Sequence, residues 1–326
     1  MKKSEKYWHT KYGFRNPQDC EPGKVGFING SRYCWSRIKA KPYVLGSDLP
    51  KDHILSREEC LRQIQEHKDT DLITWLGHCA FIIQIDGIRF LTDPFLRGNV
   101  VAAVKSSARL PCPLSFSDLD FDVLLVSHEH TDHFHAASLS QIPSLEEKKA
   151  IVPLKVGNKL ARLGVTDITE LDWFDSITIP KTSLTITAVP ACHYSTVPGD
   201  HTLWAGFVIS SSKSGKKIYF SGDTAYGAFF KKDIAPYGPF DAALIGVGAY
   251  YLSFPSRVNY VHTNPEEAVQ IAKDIDAKQL VGMHWGTVNM SDEKQGEIGG
   301  RLNIAKTEKE YAGKIVCLKI GQTVKI

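Results

Sequence analysis

Residues 121–126, FDVLLV, form a largely apolar run, and the nine residues after it, SHEHTDHFH, hold four histidines, one glutamate and one aspartate. A strand of this kind is buried, so ionisable groups at its end must be solvated, paired or bound to something. His128 and His130 are two residues apart, and an extended backbone aims both to the same side. Asp132 and His133 follow on a tighter turn and can face a second point nearby. Imidazole and carboxylate are nitrogen and oxygen donors of the kind zinc takes. A structural zinc finger would need cysteines, and this cluster has none.

A solvated polar loop is the plain alternative, and for a lone histidine it would suffice. Three later stretches count against it, because each ends an apolar strand with a further donor. LTITAVPACHYS brings His193, KKIYFSGDTAY brings Asp223 and QLVGMHWGT brings His284. Seven donors at four strand ends are poorly explained by coincidence.

The remaining periodicity is that of a β-rich α/β chain. Ser56 ahead of Glu58 and Glu59 predicts an N-capped helix running to about residue 67. Short β-rich runs follow at 72–76, 80–85 and 88–92, and Asp86-Gly87 between the last two is a strong hairpin signal. Further strands are expected at 122–127, 150–153, 176–179, 184–189, 203–210, 217–221, 242–245, 279–283 and 314–320. Helices are expected at 156–163, 265–275 and 302–311, with Pro265, Glu266 and Glu267 suited to a first turn. Strands first, with helices between the later ones, predict two packed sheets with helices outside. At 326 residues one large core with an extension is expected. Residues 1–70 read as a basic, aromatic-rich N-terminal extension with one helix, and 71–326 as the main domain.

The order H-x-H-x-D-H, then His193, then the aspartate of SGDT, then His284 resembles the metallo-β-lactamase fold hydrolases. The phrases WLGHCAFIIQIDGIRFLTDP, HYSTVPGDHTLWAGFVI, IYFSGDTAY, VHTNPEEAV and MHWGT are similar to the group containing N-acyl-phosphatidylethanolamine-hydrolysing phospholipase D, over roughly residues 72–290. The resemblance implies an αββα four-layer sandwich of the α/β class and two divalent ions, zinc foremost, with manganese or iron allowed by the same donors. One site would use His128, His130 and His193, the other Asp132, His133 and His284, with Asp223 bridging. Two such ions about 3.5 to 4 Å apart can hold a bridging hydroxide as nucleophile. The implied reaction is phospholipase D-type cleavage of a phosphodiester to N-acylethanolamine and phosphatidic acid, with Asp132, Asp223 and His262 as catalytic candidates. His262 is free for a phosphate or leaving group because Thr263 or Asn264 would cap the helix at Pro265.

Other roles stay open at this level. Asp93 in FLTDP can orient a ligand imidazole or cap a turn, and His78 in LGHCAF can line the pocket or serve a turn. Tyr250, Tyr251 and Phe254, with Tyr260, are candidates for admitting acyl chains. Where many relatives of that group have an arginine before the third metal histidine, this chain has Cys192, which supplies no positive charge. A hydrolase of a soluble lactone, ester or small phosphodiester keeps the same donors, as does an RNA nuclease of the same fold. A non-catalytic binding protein is disfavoured by the intact donor set.

Charge bears on partners. Residues 1–45 hold ten Lys or Arg against three Asp or Glu, a net +7 within a whole-chain net charge of +3. That arm carries Tyr7, Trp8, Tyr12, Phe14, Phe27, Tyr33, Trp35 and Tyr43. It either packs its aromatics on the domain or meets an anionic lipid surface. A nucleic-acid partner is not expected, since the remainder is net acidic without a long basic insertion. Seven scattered cysteines with no C-x-x-C pair suggest a reducing compartment rather than a disulfide framework, and Cys112 and Cys192 read chiefly as small apolar fillers. No apolar segment follows the basic N-terminus, and stretches such as 80–85 fall far short of the roughly 20 residues that span a bilayer. The expected location is the cytoplasm or an inner membrane surface, and no segment marks a dimer face.

Overall fold

Period-two alternation sorts the strand side chains into layers. In β1 (Leu72–Gly77), β2 (Ala80–Ile85) and β3 (Ile88–Thr92), residues Ile73, Trp75, Phe81, Ile83 and Phe90 join one buried cluster. Leu76, Ala80, Ile82 and Leu91 join a second cluster on the opposite face. In β4 (Val123–Leu125), Val123 and Leu125 go one way and Leu124 the other. Burial on both faces is why these strands read as almost continuous apolar runs. The computed structural model describes residues 6–20, 48–100, 109–195, 200–254 and 261–326, together with Arg32, Trp35, Ser36, Ile38 and Lys39.

Among the described residues the strands form two seven-stranded sheets. With β5 (Lys149–Pro153), β6 (Ile168–Leu171) and β14 (Thr323–Lys325), the first runs β14-β1-β2-β3-β4-β5-β6. The second comprises β7 (Ser176–Thr178), β8 (Leu184–Val189), β9 (Gly206–Ser211), β10 (Lys217–Phe220), β11 (Ala242–Gly246), β12 (Gln279–Met283) and β13 (Lys314–Val316). Its order is β13-β12-β11-β10-β9-β8-β7. Ile73, Trp75 and Phe81 share the main core with Ile186, Phe207 and Phe220, so the sheets pack face to face. Outside the first sheet, α1 (Arg57–Glu66), α2 (Ala136–Leu139) and α3 (Gly157–Ala161) bury Cys60, Leu139 and Leu160. Outside the second, α4 (Pro265–Asp274) and α5 (Ile298–Glu308) bury Val269, Ile271 and Leu302. This is the αββα sandwich.

Local signals explain most boundaries. Ser56 caps α1 by accepting from Glu59 N at 3.1 Å, a bond of about 1 kcal/mol. Asn264 and Glu267 form a capping box around Pro265 on α4, while Thr263 donates instead to Gly246 O. Asp86 and Gly87, with φ of 49° and 82°, make the two-residue turn between β2 and β3. Strands β6 and β14 were not expected, and both are edge strands with few apolar residues to mark them. The expected strand at 314–320 stops at Val316, and Ile320 forms a bridge to Ile54 instead.

The N-terminal segment packs on the domain in part. Trp8, Phe14 and Cys20 enter the main core, and Trp8 stands 5.4 Å from Trp173. Asp172 accepts from Lys6 Nζ, Trp8 Nε1 and His9 Nε2 at 2.6 to 2.7 Å, fastening the segment to the loop after β6. Of the arm aromatics, Phe27, Tyr33 and Tyr43 lie outside the described residues, as does Tyr260. The cysteine reading needs correction: Cys20 and Cys192 form a disulfide, because the packed arm brings two residues far apart in sequence to a Cα separation of 6.0 Å. Cys192 is thus a cross-link rather than an apolar filler, whereas Cys112 is a buried free thiol whose pKa burial raises. No helix among the described residues is long and apolar enough to cross a membrane.

Candidate metal centre

Each donor follows the C-terminal end of a strand, and the topology brings those ends together. β9 is antiparallel to both β8 and β10, and β10, β11 and β12 are parallel, so β8, β10, β11 and β12 end at one edge. In the first sheet β2 is antiparallel to β1 and β3, and β4 is parallel to β3, so β1, β3 and β4 end at one edge. His78 and Asp93 follow β1 and β3, and the H-x-H-x-D-H motif follows β4. His193, Asp223, His262 and His284 follow β8, β10, β11 and β12. The two edges meet, and all seven expected donors fall into one cluster, buried but for the partly exposed His130.

Three imidazoles form the first group. His130 Nδ1 lies 2.9 Å from His128 Nε2 and 3.0 Å from His193 Nε2. The outer nitrogens of the flanking rings are committed. Asp93 accepts from the Ser127 hydroxyl at 2.6 Å, so that hydroxyl accepts from His128 Nδ1 at 2.9 Å. Val261 O accepts from His193 Nδ1 at 3.2 Å. Neutral rings held this way turn unprotonated Nε2 atoms toward His130, which has one Nδ1 proton at most to offer. At least one lone pair is left facing another donor.

The second group repeats the argument with carboxylates. His133 Nδ1 donates to Asp93 Oδ2 at 2.7 Å, and its Nε2 stands 3.1 Å from Asp223 Oδ2 and 3.5 Å from Asp132 Oδ2. His284 Nε2 lies 3.2 and 3.6 Å from the same two oxygens. His133 Nε2, both His284 nitrogens and Asp223 Oδ1 are buried without hydrogen-bond partners. Asp223 Oδ2 is also 4.0 Å from His128 Nε2 and 3.8 Å from His193 Nε2, so it stands between the groups. Lone pairs converging on lone pairs, out of water, call for positive charge between them, and the N and O donors suit zinc, manganese or iron. The residues present therefore fit a pair of divalent cations.

The electrostatics agree. Burial lowers the proton affinity of His128, His130 and His193. At His133 and His284 burial acts the same way, but Asp223 and Asp132 outweigh it, raising His133 well above its ordinary value and His284 to about 9. Burial pushes Asp132 and Asp223 up, and the surrounding histidines more than reverse this, leaving both far below the usual carboxylate range. Cations entering the cluster displace protons from His133 and His284.

Supporting residues surround the donors. Asp93, fully buried, orients His133 directly and His128 through Ser127. His78 Nε2 donates to Asp132 Oδ2 at 3.0 Å, and burial lowers its pKa to about 3. His262 Nδ1 is 3.7 Å from Asp223 Oδ2, its ring 5.3 Å from that of His193, and burial lowers its pKa to about 4. Gly222 has φ of 56°, and a Cβ there would stand 2.6 Å from Ser127 Cβ. Arg109 donates to the carbonyls of Leu76, Phe95 and Leu110, anchoring the end of β1 just before His78. Asn16 Oδ1, from the N-terminal segment, accepts from His193 N at 2.9 Å. Sequence reasoning missed Ser127, Gly222, Arg109 and Asn16; only Ser127, abutting the motif, carried any signal. Tyr250 accepts from Arg301, Tyr251 is half exposed, and Phe254 is buried beneath Arg32. No described contact ties these three to the donors. Glu129, inside the motif, points away and pairs with Lys159 at 2.8 Å.

Comparison with known proteins agrees with this geometry. The family model described as a beta-lactamase superfamily domain matches residues 88–285. The chain is 33% identical over 263 residues to N-acyl-phosphatidylethanolamine-hydrolyzing phospholipase D 1 of Caenorhabditis elegans, covering 76% of this chain and 71% of that protein. It is 30% identical over 220 residues to a UPF0173 metal-dependent hydrolase of Methanopyrus kandleri, covering 66% and 84%. The solved structure of Igni18, a metallo hydrolase of Ignicoccus hospitalis, superposes with a TM-score of 0.60 at 20% identity, over 79% of this chain and 98% of that one, and so shares the fold. The chain belongs to the beta-lactamase superfamily, as a metal-dependent hydrolase of the metallo-β-lactamase fold.

Proposed function

We propose that the protein hydrolyses the phosphodiester of N-acyl-phosphatidylethanolamine, releasing N-acylethanolamine and phosphatidic acid, with two zinc ions as cofactor. The convergence of buried imidazole nitrogens on Asp223 carries the hydrolase reading. The substrate rests on likeness to the C. elegans phospholipase D and on the shared wording around the donors. His128, His130 and His193 would hold one ion and Asp132, His133 and His284 the other, with Asp223 between them. Two such ions lower the proton affinity of water and neutralise charge building on phosphoryl oxygens.

The chain's own groups do the rest. Water oxygen forms the new bond to phosphorus, the bond from phosphorus to the ethanolamine oxygen breaks, and that oxygen leaves with a proton. Asp132, held by His78, is placed to take the proton from water. His262, beside Asp223 and held neutral at pH 7 by burial, would contact a phosphoryl oxygen or the departing group.

The test supplies N-acyl-phosphatidylethanolamine in mixed micelles to metal-loaded protein and to His128→Ala, with both products measured by mass spectrometry. The expected result is both products in equal amounts, about two ions per chain, and joint loss of metal and turnover in the variant. Turnover of a lactone or of RNA with none of the phospholipid would overturn the substrate assignment.

A further inference from the structure

The exposed aromatic and large aliphatic residues are unevenly placed. Among the described residues, Tyr12 is 69% exposed, Ile304 60%, Trp35 59%, Ile38 55% and Tyr251 50%. Three of the five belong to the N-terminal arm, whose residues 1–45 carry a net charge of +7. Arg32, Trp35, Ile38 and Lys39 are helical, and a spacing of three or four residues puts them on one face. That face is open to water.

Among the described residues, each exposed arm aromatic has a cation against it. Lys11 Nζ stands 5.1 Å from the centre of the Tyr12 ring, and Lys39 Nζ stands 4.8 Å from that of Trp35. Both arm segments rest on loops that lead into the metal centre. Tyr12 O accepts from His201, Phe14 N donates to Asp200 O, and Asn16 accepts from His193 N, so residues 12–16 follow the loop that begins at His193. Arg32 stands 4.8 Å from the Phe254 ring, on the loop between β11 and His262. Near Tyr251, Glu293 accepts from Ala249 N and Tyr251 N, and Asp292 accepts from the Ser253 hydroxyl.

We propose that Lys11, Tyr12, Arg32, Trp35, Ile38 and Lys39 form a rim beside the metal centre that seats on an anionic phospholipid bilayer. Indole, phenol and isoleucine side chains suit the depth of the head groups and first methylenes, and lysine and arginine suit the phosphates. Each cation near such a surface is worth roughly a fivefold gain in binding. Outside residues 1–45 the chain carries a net charge of −4. The inference deepens the lipid reading above, since a substrate in a bilayer must be met at its surface.

The experiment is sedimentation of the full chain with phosphatidylcholine vesicles, with or without about a third phosphatidylserine. Trp35→Ala/Ile38→Ala and Arg32→Ala/Lys39→Ala are compared, each checked for an unchanged thermal midpoint. Expected are preference for the anionic vesicles, weakening with salt, and a drop on the order of tenfold in each double variant. Hydrolysis of dispersed N-acyl-phosphatidylethanolamine in detergent micelles should stay at the wild-type rate. Equal binding to both vesicles, variants that bind like wild type, or tighter retention on single-stranded RNA would overturn the proposal. Micellar turnover without vesicle binding would reject the rim alone, whereas vesicle binding without turnover would reject the substrate alone.

Discussion

Asp93→Asn isolates the ordering of the metal ligands from their identity, because it replaces none of the seven donors. The carboxylate accepts from His133 Nδ1 at 2.7 Å, from the Ser127 hydroxyl at 2.6 Å and from Ser127 N at 2.7 Å. An asparagine oxygen can keep the backbone bond, but the amide nitrogen then faces His133 and cannot accept. His133 must lose that bond or move its proton to Nε2, where it blocks the metal. The Ser127 hydroxyl, no longer donating to a carboxylate, also loosens its hold on His128. Loss of such a partner costs 10- to 100-fold in metal affinity, about 1.4 to 2.8 kcal/mol. Competition with a chromophoric chelator measures this directly. Ser127→Ala cuts only the relay to His128 and should fall between Asp93→Asn and wild type. Glu129→Gln, inside the motif but paired with Lys159, should match wild type within twofold. A folded Asp93→Asn with wild-type affinity would refute the reasoning.

Gly222→Ala places a Cβ 2.6 Å from Ser127 Cβ at a φ of 56°, so it should displace Ser127 and lower metal affinity alongside stability in the same chelator assay and a melt. Asp172→Asn withdraws charge from Lys6 and His9 on the N-terminal segment and should cost about 2 kcal/mol, a few degrees in Tm. Burial pushes the Asp172 carboxyl up and Lys6, Trp8 and His9 more than offset this, so its folded pKa lies below the unfolded one. That stability is present above the unfolded carboxylate pKa of about 3.9 and is lost as pH falls through the folded value, so denaturation midpoints of wild type and variant should converge in acid.

The sandwich and all seven donors were legible because each is written locally. Period-two alternation marks a buried strand wherever a single face is enough to see it, and H-x-H-x-D-H packs four donors into six residues. Edge strands β6 and β14 were not, because few apolar residues mark either one, and β14 pairs with a strand distant in sequence: Thr323 finds Thr74, with their hydroxyls 2.8 Å apart. Cys20 and Cys192 escaped for the same reason. Nothing near either cysteine says that an arm anchored by Trp8 and Asp172 will lay one against the other. Asp93 was readable only as one of two options, since a turn and a relay both put an aspartate before a proline. The hydrogen bond to His133, across 40 positions, decides between them.

The backbone departs from local rules where the chemistry is concentrated. His78, Asp93 and His284 have φ of 55°, 34° and 62°, a left-handed region that costs a side chain of this kind on the order of 1 kcal/mol or more. Glycine would relieve that cost and remove the functional group. The bonds that hold these residues also join the sheets: His284 N donates to His78 O at 3.1 Å, and His78 N donates to Thr287 Oγ1 at 2.8 Å. β1 and β12 belong to different sheets, so the seam between them at the metal centre is made of strained residues whose side chains face the donor cluster. A cation present at a thousand times its dissociation constant stabilises the native state by about 4 kcal/mol, the same order as the three conformations together cost. Strain, the joint between the sheets and cation binding are therefore one coupled arrangement, and a substitution that weakens binding at Asp93 or Ser127 also loosens the closure of the sandwich at that edge.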